Sequence, residues 1–147
     1  MSTEATTATI RRSVTVQRPQ EEAFRLFTDG ISTWWPFAGH SIGGEQTKEA
    51  VLEGAGGRFY ERQEDGTEAD WADVLAFEPP ERILLSWRVD PSCASTEVEI
   101  LFVPDGDGTR VELEHRGWEN VEAGGPERRE SYGSGWVRVL ERFAEAA

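Results

Sequence analysis

Cysteine and histidine are nearly missing from this chain: Cys93, His40 and His115 are all there is of them in 147 residues. One thiol forms no internal disulfide, and this set has no metal-ligand spacing, so neither a metal nor a cofactor is expected. Basic residues are scarce too, 15 Lys+Arg against 28 Asp+Glu, for a net charge of −13. Such a field repels phosphate backbones and anionic lipid, which excludes nucleic acid and membrane surfaces as expected partners. Long apolar runs are also lacking. None approaches the ~18 residues of a membrane span, and the polar start has neither the basic nor the apolar part of a signal peptide. The expected location is cytoplasmic.

What is present is a core. An apolar fraction of 37% with six Trp argues against disorder, and the length suits one domain. Residues 1–8 read as a disordered tail and residues 9–147 as a single domain. In residues 128–147, Tyr132, Trp136, Val139, Leu140 and Phe143 recur at i, i+4, i+7, i+8 and i+11, the apolar stripe of a helix. Gly133 and Gly135 interrupt it, each at a cost of roughly 1 kcal/mol relative to Ala, which points to a bend or to close approach by another backbone or a ligand.

Before that helix the chain reads mostly as sheet. Residues 10–17 alternate as a first strand, Pro19 opens a helix over 20–29 with Ala23, Phe24 and Phe27 on one face, and Gly30 ends it. Residues 32–37 predict a short helix or turn dense in rings, and 38–48 a glycine-rich loop. Strands follow over 50–53, 58–63, 71–77, 82–89, 96–103 and 109–116, with hairpin signals at Asp65-Gly66 and at residues 104–108. Ile83, Leu85 and Trp87 share one face, as do Val98, Ile100 and Phe102, and Val111, Leu113 and His115; charged residues alternate with them. That is an antiparallel sheet covered on one side. The reading is a single α+β domain, ordered β-α-α-β6-α.

This order resembles the START/Bet v 1-like helix-grip superfamily, and within it the family related to the C-terminal half of the Hsp90 ATPase activator. The matching residues are Phe27-Thr28-Asp29 before Trp34-Trp35-Pro36, and Gly56-Gly57 before Arg58-Phe59-Tyr60-Glu61. Further matches are Asp65-Gly66 followed by Trp71, Pro79-Pro80-Glu81-Arg82, Gly108-Thr109-Arg110-Val111, Glu114-His115 and Gly135-Trp136. Ala72 stands where the family has glycine. The resemblance implies a curved six- to seven-stranded antiparallel sheet wrapped around a long C-terminal helix, with two short helices after strand 1 and a cavity between sheet and helix. Ligand binding, and in some members cyclase, dehydratase or hydrolase chemistry, takes place in such a cavity.

Each candidate residue has a structural and a functional reading. Trp34 and Trp35 plug the end of the sheet or form an entrance; the plug is favoured, with at least one ring on the cavity. His115 is a satisfied core histidine or a general base, and the first is favoured without an evident nucleophile. Glu53 pairs with His115 only if both enter one pocket. Tyr132 and Trp136 present an O–H and an N–H toward the sheet, for a ligand or for the backbone. Asp105 and Asp107 lack the further oxygens of a calcium loop and read as a tight turn. Cys93 has no base near it in sequence and reads as incidental.

Three functions remain. The leading one is a small-molecule binding protein whose cavity takes a hydrophobic or aromatic ligand on Trp35, Trp87, Phe102, His115, Tyr132 and Trp136. The second is a cyclase- or hydrolase-type enzyme in the same cavity, with His115 and Glu53 as weak catalytic candidates. The third, an Hsp90-type co-chaperone, ranks last because only the part resembling the activator's C-terminal half is recognised. The expected state is a monomer or weak homodimer.

Overall fold

Seven strands form one antiparallel sheet in the order β1-β7-β6-β5-β4-β3-β2 in a computed structural model that describes residues 9–41, 43–87, 96–120 and 125–147. The expected tail, Cys93 and the Asp90-Pro91 turn lie outside the described residues. The elements run β1 (Ile10–Val16), α1 (Gln20–Thr28), α2 (Phe37–His40), β2 (Thr47–Leu52), β3 (Arg58–Gln63), β4 (Glu68–Glu78), β5 (Arg82–Trp87), β6 (Thr96–Asp105), β7 (Gly108–Arg116) and α3 (Gly125–Ala146). The sheet curls around α3, and α1 and α2 follow strand 1, so the α+β helix-grip expectation holds. Among the described residues no helix is long and apolar enough to cross a membrane.

Alternation sets the register. Val74, Leu85, Val98, His115 and Ile10 face one another from strand to strand and make one inner row across β4, β5, β6, β7 and β1. Four of the five are aliphatic, and His115 is the polar exception. On the opposite face Arg82 pairs with Glu99, and Arg116 with Glu97 and Glu99, at 2.5–3.1 Å. The hairpin between β6 and β7 turns on Gly106 and Asp107, with Asp105 opposite Gly108. Gly106 takes φ +61°, a left-handed conformation that a side chain would disfavour.

Several expected boundaries move, α3 starting at Gly125 and β6 ending at Asp105 among them, and two of the shifts bear on the site. β4 begins at Glu68, three residues before the apolar alternation, because Arg58 and Arg62 on β3 form ion pairs with Glu68 and Asp70 across the strands. The loop expected over 38–48 is shorter than that, because it also contains the end of α2, a 3-10 turn (Gly44–Gln46) and the start of β2.

The core divides along the length of α3. At its C-terminal end Phe143 meets Phe27 at 5.3 Å and Trp34 at 5.2 Å, ring centre to ring centre, and Phe24 and Phe27 meet Phe102 at 5.0 and 5.5 Å. These edge-to-face contacts fill that end. Toward the N-terminal half of α3 the rings also touch, Trp35 with Trp71 at 5.1 Å and Trp87 with Trp136 at 5.3 Å, but there they form one side of a cleft.

Phe143 is fully buried, so Phe143→Ala should cost about 3–5 kcal/mol in urea unfolding, whereas Val137→Ala, on the exposed side of α3, should change stability by less than about 0.5 kcal/mol. Equal effects would contradict this division of the core.

Candidate functional site

A cleft of about 1170 Å³ lies between the N-terminal half of α3, the start of β4 and the end of α2. Small-molecule sites typically occupy ~300–1,000 Å³, so the space is ample. Its apolar wall is Trp35, Trp71, Trp87, Tyr132, Trp136 and Val139; its polar rim includes His40, Ser41, Arg58, Glu68, Asp70, Ser131, Ser134 and Arg138. A smaller groove of about 420 Å³ runs between β1 and the flank of α3, with no aromatic lining.

The rings are fixed by their polar atoms. An indole N–H only donates, so a buried tryptophan requires an acceptor. Each of the six finds one: Trp34 on the Leu26 carbonyl at 2.9 Å, Trp35 on the His40 carbonyl at 2.9 Å and Trp71 on Glu61 Oε1 at 2.7 Å. Trp87 donates to the Tyr132 hydroxyl at 3.0 Å, Trp118 to the His115 carbonyl at 3.1 Å and Trp136 to His115 Nδ1 at 3.0 Å.

His115 joins sheet and helix. Because the Trp136 indole cannot accept, Nδ1 of His115 carries no proton; Nε2 does, and it donates to Thr96 Oγ1 at 2.6 Å. The ring is fully buried, and burial pushes its pKa down from 6.5 to about 3. At neutral pH it is an uncharged imidazole with both nitrogens engaged.

Glu61 does the same work on the other wall. It is fully buried; besides the Trp71 indole on Oε1, its Oε2 accepts from the Gly43 amide at 2.8 Å, Thr47 Oγ1 at 3.0 Å and Gln63 Nε2 at 3.1 Å. One carboxylate thus binds the chain between α2 and β2 to the floor of the cleft.

Of the expected site residues, the fold brings Trp87, His115, Tyr132 and Trp136 into one cluster of touching rings that holds two hydrogen-bonded pairs, Trp87 with Tyr132 and Trp136 with His115, and Trp35 meets Trp136 edge to face at 6.1 Å between ring centres. The tryptophan pair splits: Trp34 is packed in the closed end and Trp35 lines the cleft. Phe102 lies at the closed end with Phe24 and Phe27, outside the cleft lining. Glu53 and His115 do not meet. Glu53 closes the β2–β3 turn by accepting the Arg58 amide at 2.8 Å, with four strands between β2 and β7 in the sheet. Gly133 lies over β1, where its carbonyl accepts from Arg12 Nε at 3.2 Å, and Gly135 lines the cleft.

Sequence reasoning missed Trp71, Glu61, His40 and the ion-paired group of Arg58 with Glu68 and Asp70. Parity on β3 would have found Glu61, two residues from the inward Phe59. Nothing periodic marks His40, which sits among glycines.

A model of the family described as Activator of Hsp90 ATPase homolog 1-like protein matches residues 17–147. Among similar solved structures is an anthrahydroquino-gamma-pyrone synthase, Txn09, complexed with SUM: 30% identity, TM-score 0.60, covering 95% of this chain and 96% of that one. Another is CalC, a self-sacrificing resistance protein from Micromonospora echinospora: 27% identity, TM-score 0.69, with 96% and 94% covered. The Aha1 dimer from Colwellia psychrerythraea shares the fold at 15% identity, TM-score 0.70, with 95% of each chain covered. No curated protein matches the chain.

The depressed pKa of His115 has a measurable consequence. The unfolded chain takes up a proton as pH falls below about 6.5 while the folded chain refuses it until about pH 3, so stability present above pH 6.5 is lost on acidification. Between pH 6.5 and 5, above the range of the carboxylates, this should remove about 1 kcal/mol per pH unit in urea unfolding, the slope steepening as the unfolded histidine becomes fully protonated. His115→Gln should flatten that slope; an equal slope in the variant would count against His115 as its source.

Proposed function

Because this chain belongs to the activator of Hsp90 ATPase homolog 1-like family, we propose that it is a small-molecule binding protein that holds an aromatic or otherwise hydrophobic ligand in the cleft between the sheet and α3. The observation that carries this reading is the cleft itself: about 1170 Å³, walled by four tryptophans and a tyrosine beside a solidly packed second half of the core. The rings offer large, rigid apolar faces at low entropic cost. Their N–H groups are held internally, so the wall presents π surface to an occupant. Two relatives above 25% identity, a synthase and a resistance protein, span the whole fold and are compatible with small-molecule recognition.

Cyclase-type chemistry in the same cleft is the second reading, and the 30% identity to the synthase favours it. His115 is a poor general base for it. Its Nδ1 lone pair is occupied by Trp136 and its pKa lies near 3, well below the operating range of a base at neutral pH. We assign His115 to holding α3 on the sheet. The co-chaperone reading comes last, since likeness to the Aha1 structure at 15% identity speaks for the fold alone.

Thermal unfolding against a panel of polycyclic aromatics tests the binding reading. A ligand present at a hundred times its Kd should add about 2.7 kcal/mol and raise Tm by several degrees. The same ligand should lose most of that effect with Trp136→Ala, after allowance for the variant's own lower Tm. No shift across the panel would overturn the proposal.

A further inference from the structure

The sheet ends on one side at β2 and on the other at β1. At β2 the edge is closed: Ser32 Oγ lies 3.0 Å from both the amide nitrogen and the carbonyl oxygen of Ala50 and stands in for a neighbouring strand. At β1 a groove of about 420 Å³ separates the strand from the flank of α3. Ser13 lines it beside Arg12 and Val14, so both faces of β1 reach the groove and it opens at the strand's edge. Its middle is apolar, formed by Val14, Val137 and Leu140, and Val137 is 43% exposed, one of two large apolar side chains left so open among the described residues. Its ends carry opposite charge. Arg12 lies at Gly133, toward the start of α3, and Arg138 follows; Glu141 and Glu145 lie toward the end of the helix. These charges are loosely held. Arg12 donates from Nε to the Gly133 carbonyl at 3.2 Å and from Nη1 to the Arg11 carbonyl at 2.8 Å, and no carboxylate among the described residues pairs with it. Arg138 approaches Glu141 only to 3.8 Å, and Arg142 approaches Glu145 to the same distance. On the outer face of the sheet, by contrast, Arg82 and Arg116 meet Glu99 at 2.5 and 3.1 Å.

We propose that this face is a two-fold interface between two copies of the chain, with β1 of each copy laid antiparallel along β1 of the other. A two-fold axis reverses the direction of the groove, so its basic end meets the acidic end of the second copy and the apolar middles meet each other. This self-complementarity selects a second copy over an acidic or a basic peptide, either of which would face like charge at one end. The helical side of the groove runs from Val137 to Glu145, and reversal about its midpoint, Glu141, sets Arg138 opposite Glu145. On β1 the midpoint is Ser13, and pairing there gives the open edge the partner that Ser32 gives β2. Two copies of net charge −13 repel each other at long range. At physiological salt that field is screened beyond about 8 Å, whereas the facing Arg and Glu side chains meet inside that distance. The association is therefore weak and reversible. It adjoins the cleft at Arg138, which borders both, and stands independently of the binding reading.

The test is sedimentation equilibrium of the purified full chain at physiological salt, from micromolar to near-millimolar concentration. The wild type should show a reversible monomer–dimer equilibrium. Val137→Asp, which charges the apolar middle at an exposed position, should weaken it at least about tenfold without lowering Tm. Arg138→Glu and Glu145→Arg should each weaken it several-fold, because each sets like charges against one another on both sides of the axis. An equimolar mixture of those two variants should associate about as tightly as the wild type, since each chain then meets its opposite charge at both places. A loss caused by damaged folding would not be rescued by mixing. A wild type that stays monomeric throughout, a dimer indifferent to all three substitutions, or a mixture no tighter than its components overturns the proposal.

Discussion

A buried indole N–H must find an acceptor, and this fold is arranged around meeting that requirement six times. Leaving one unmet costs about 1–3 kcal/mol, a sizeable part of the stability of a domain this size. The acceptors come from every layer: a helix carbonyl at Leu26, the end of α2 at His40, the sheet at Glu61 and His115, and α3 itself at Tyr132. Trp87 and Trp136 thus join α3 to the sheet, which hydrophobic contact alone would leave free to slide. The two polar hubs, Glu61 and His115, sit on opposite parts of the sheet and hold the opposite walls of the cleft.

These attachments explain how an open cleft persists beside so many apolar side chains. Hydrophobic burial is non-directional and would draw the rings together. Rings whose N–H groups are pinned to fixed acceptors cannot collapse without breaking those bonds. Rings touch edge to face at both ends, but at the closed end Phe24, Phe27, Phe102 and Phe143 have no polar atoms to place and fill the space.

The architecture was legible because it depends on periodicity. Alternation over Ile83–Leu85–Trp87 and Val98–Ile100–Phe102, and the 3.6-residue stripe from Tyr132 to Phe143, are local signals of which face is buried, and the curled sheet with its closing helix follows from them. The site was legible only in part. Trp87, His115, Tyr132 and Trp136 lie on those same periodic faces. Phe102 lies on the right face too, but pattern reports a face and says nothing of position along α3, which separates the packed end from the open one. Glu53 shares no pocket with His115 because a glycine-rich turn follows it and its carboxylate is drawn to the Arg58 amide. His40 and the ion pairs of Arg58 depend on contacts between segments distant in sequence, where no local signal exists.

That the His115 ring meets two indoles has a consequence for how this sequence can change. Trp136 donates to its ring nitrogen and Trp118 lies against the ring at 4.4 Å between centres, so two residues from separate elements share one side chain. Groups that share a partner respond to substitution non-additively. A replacement at position 115 therefore alters the cost of every later replacement at 118 and 136, and drift at these three sites is constrained to proceed together. The histidine is thus held in place by what surrounds it: Trp136 relies on its nitrogen and Trp118 on its ring, so the cost of replacing it is set at two other positions.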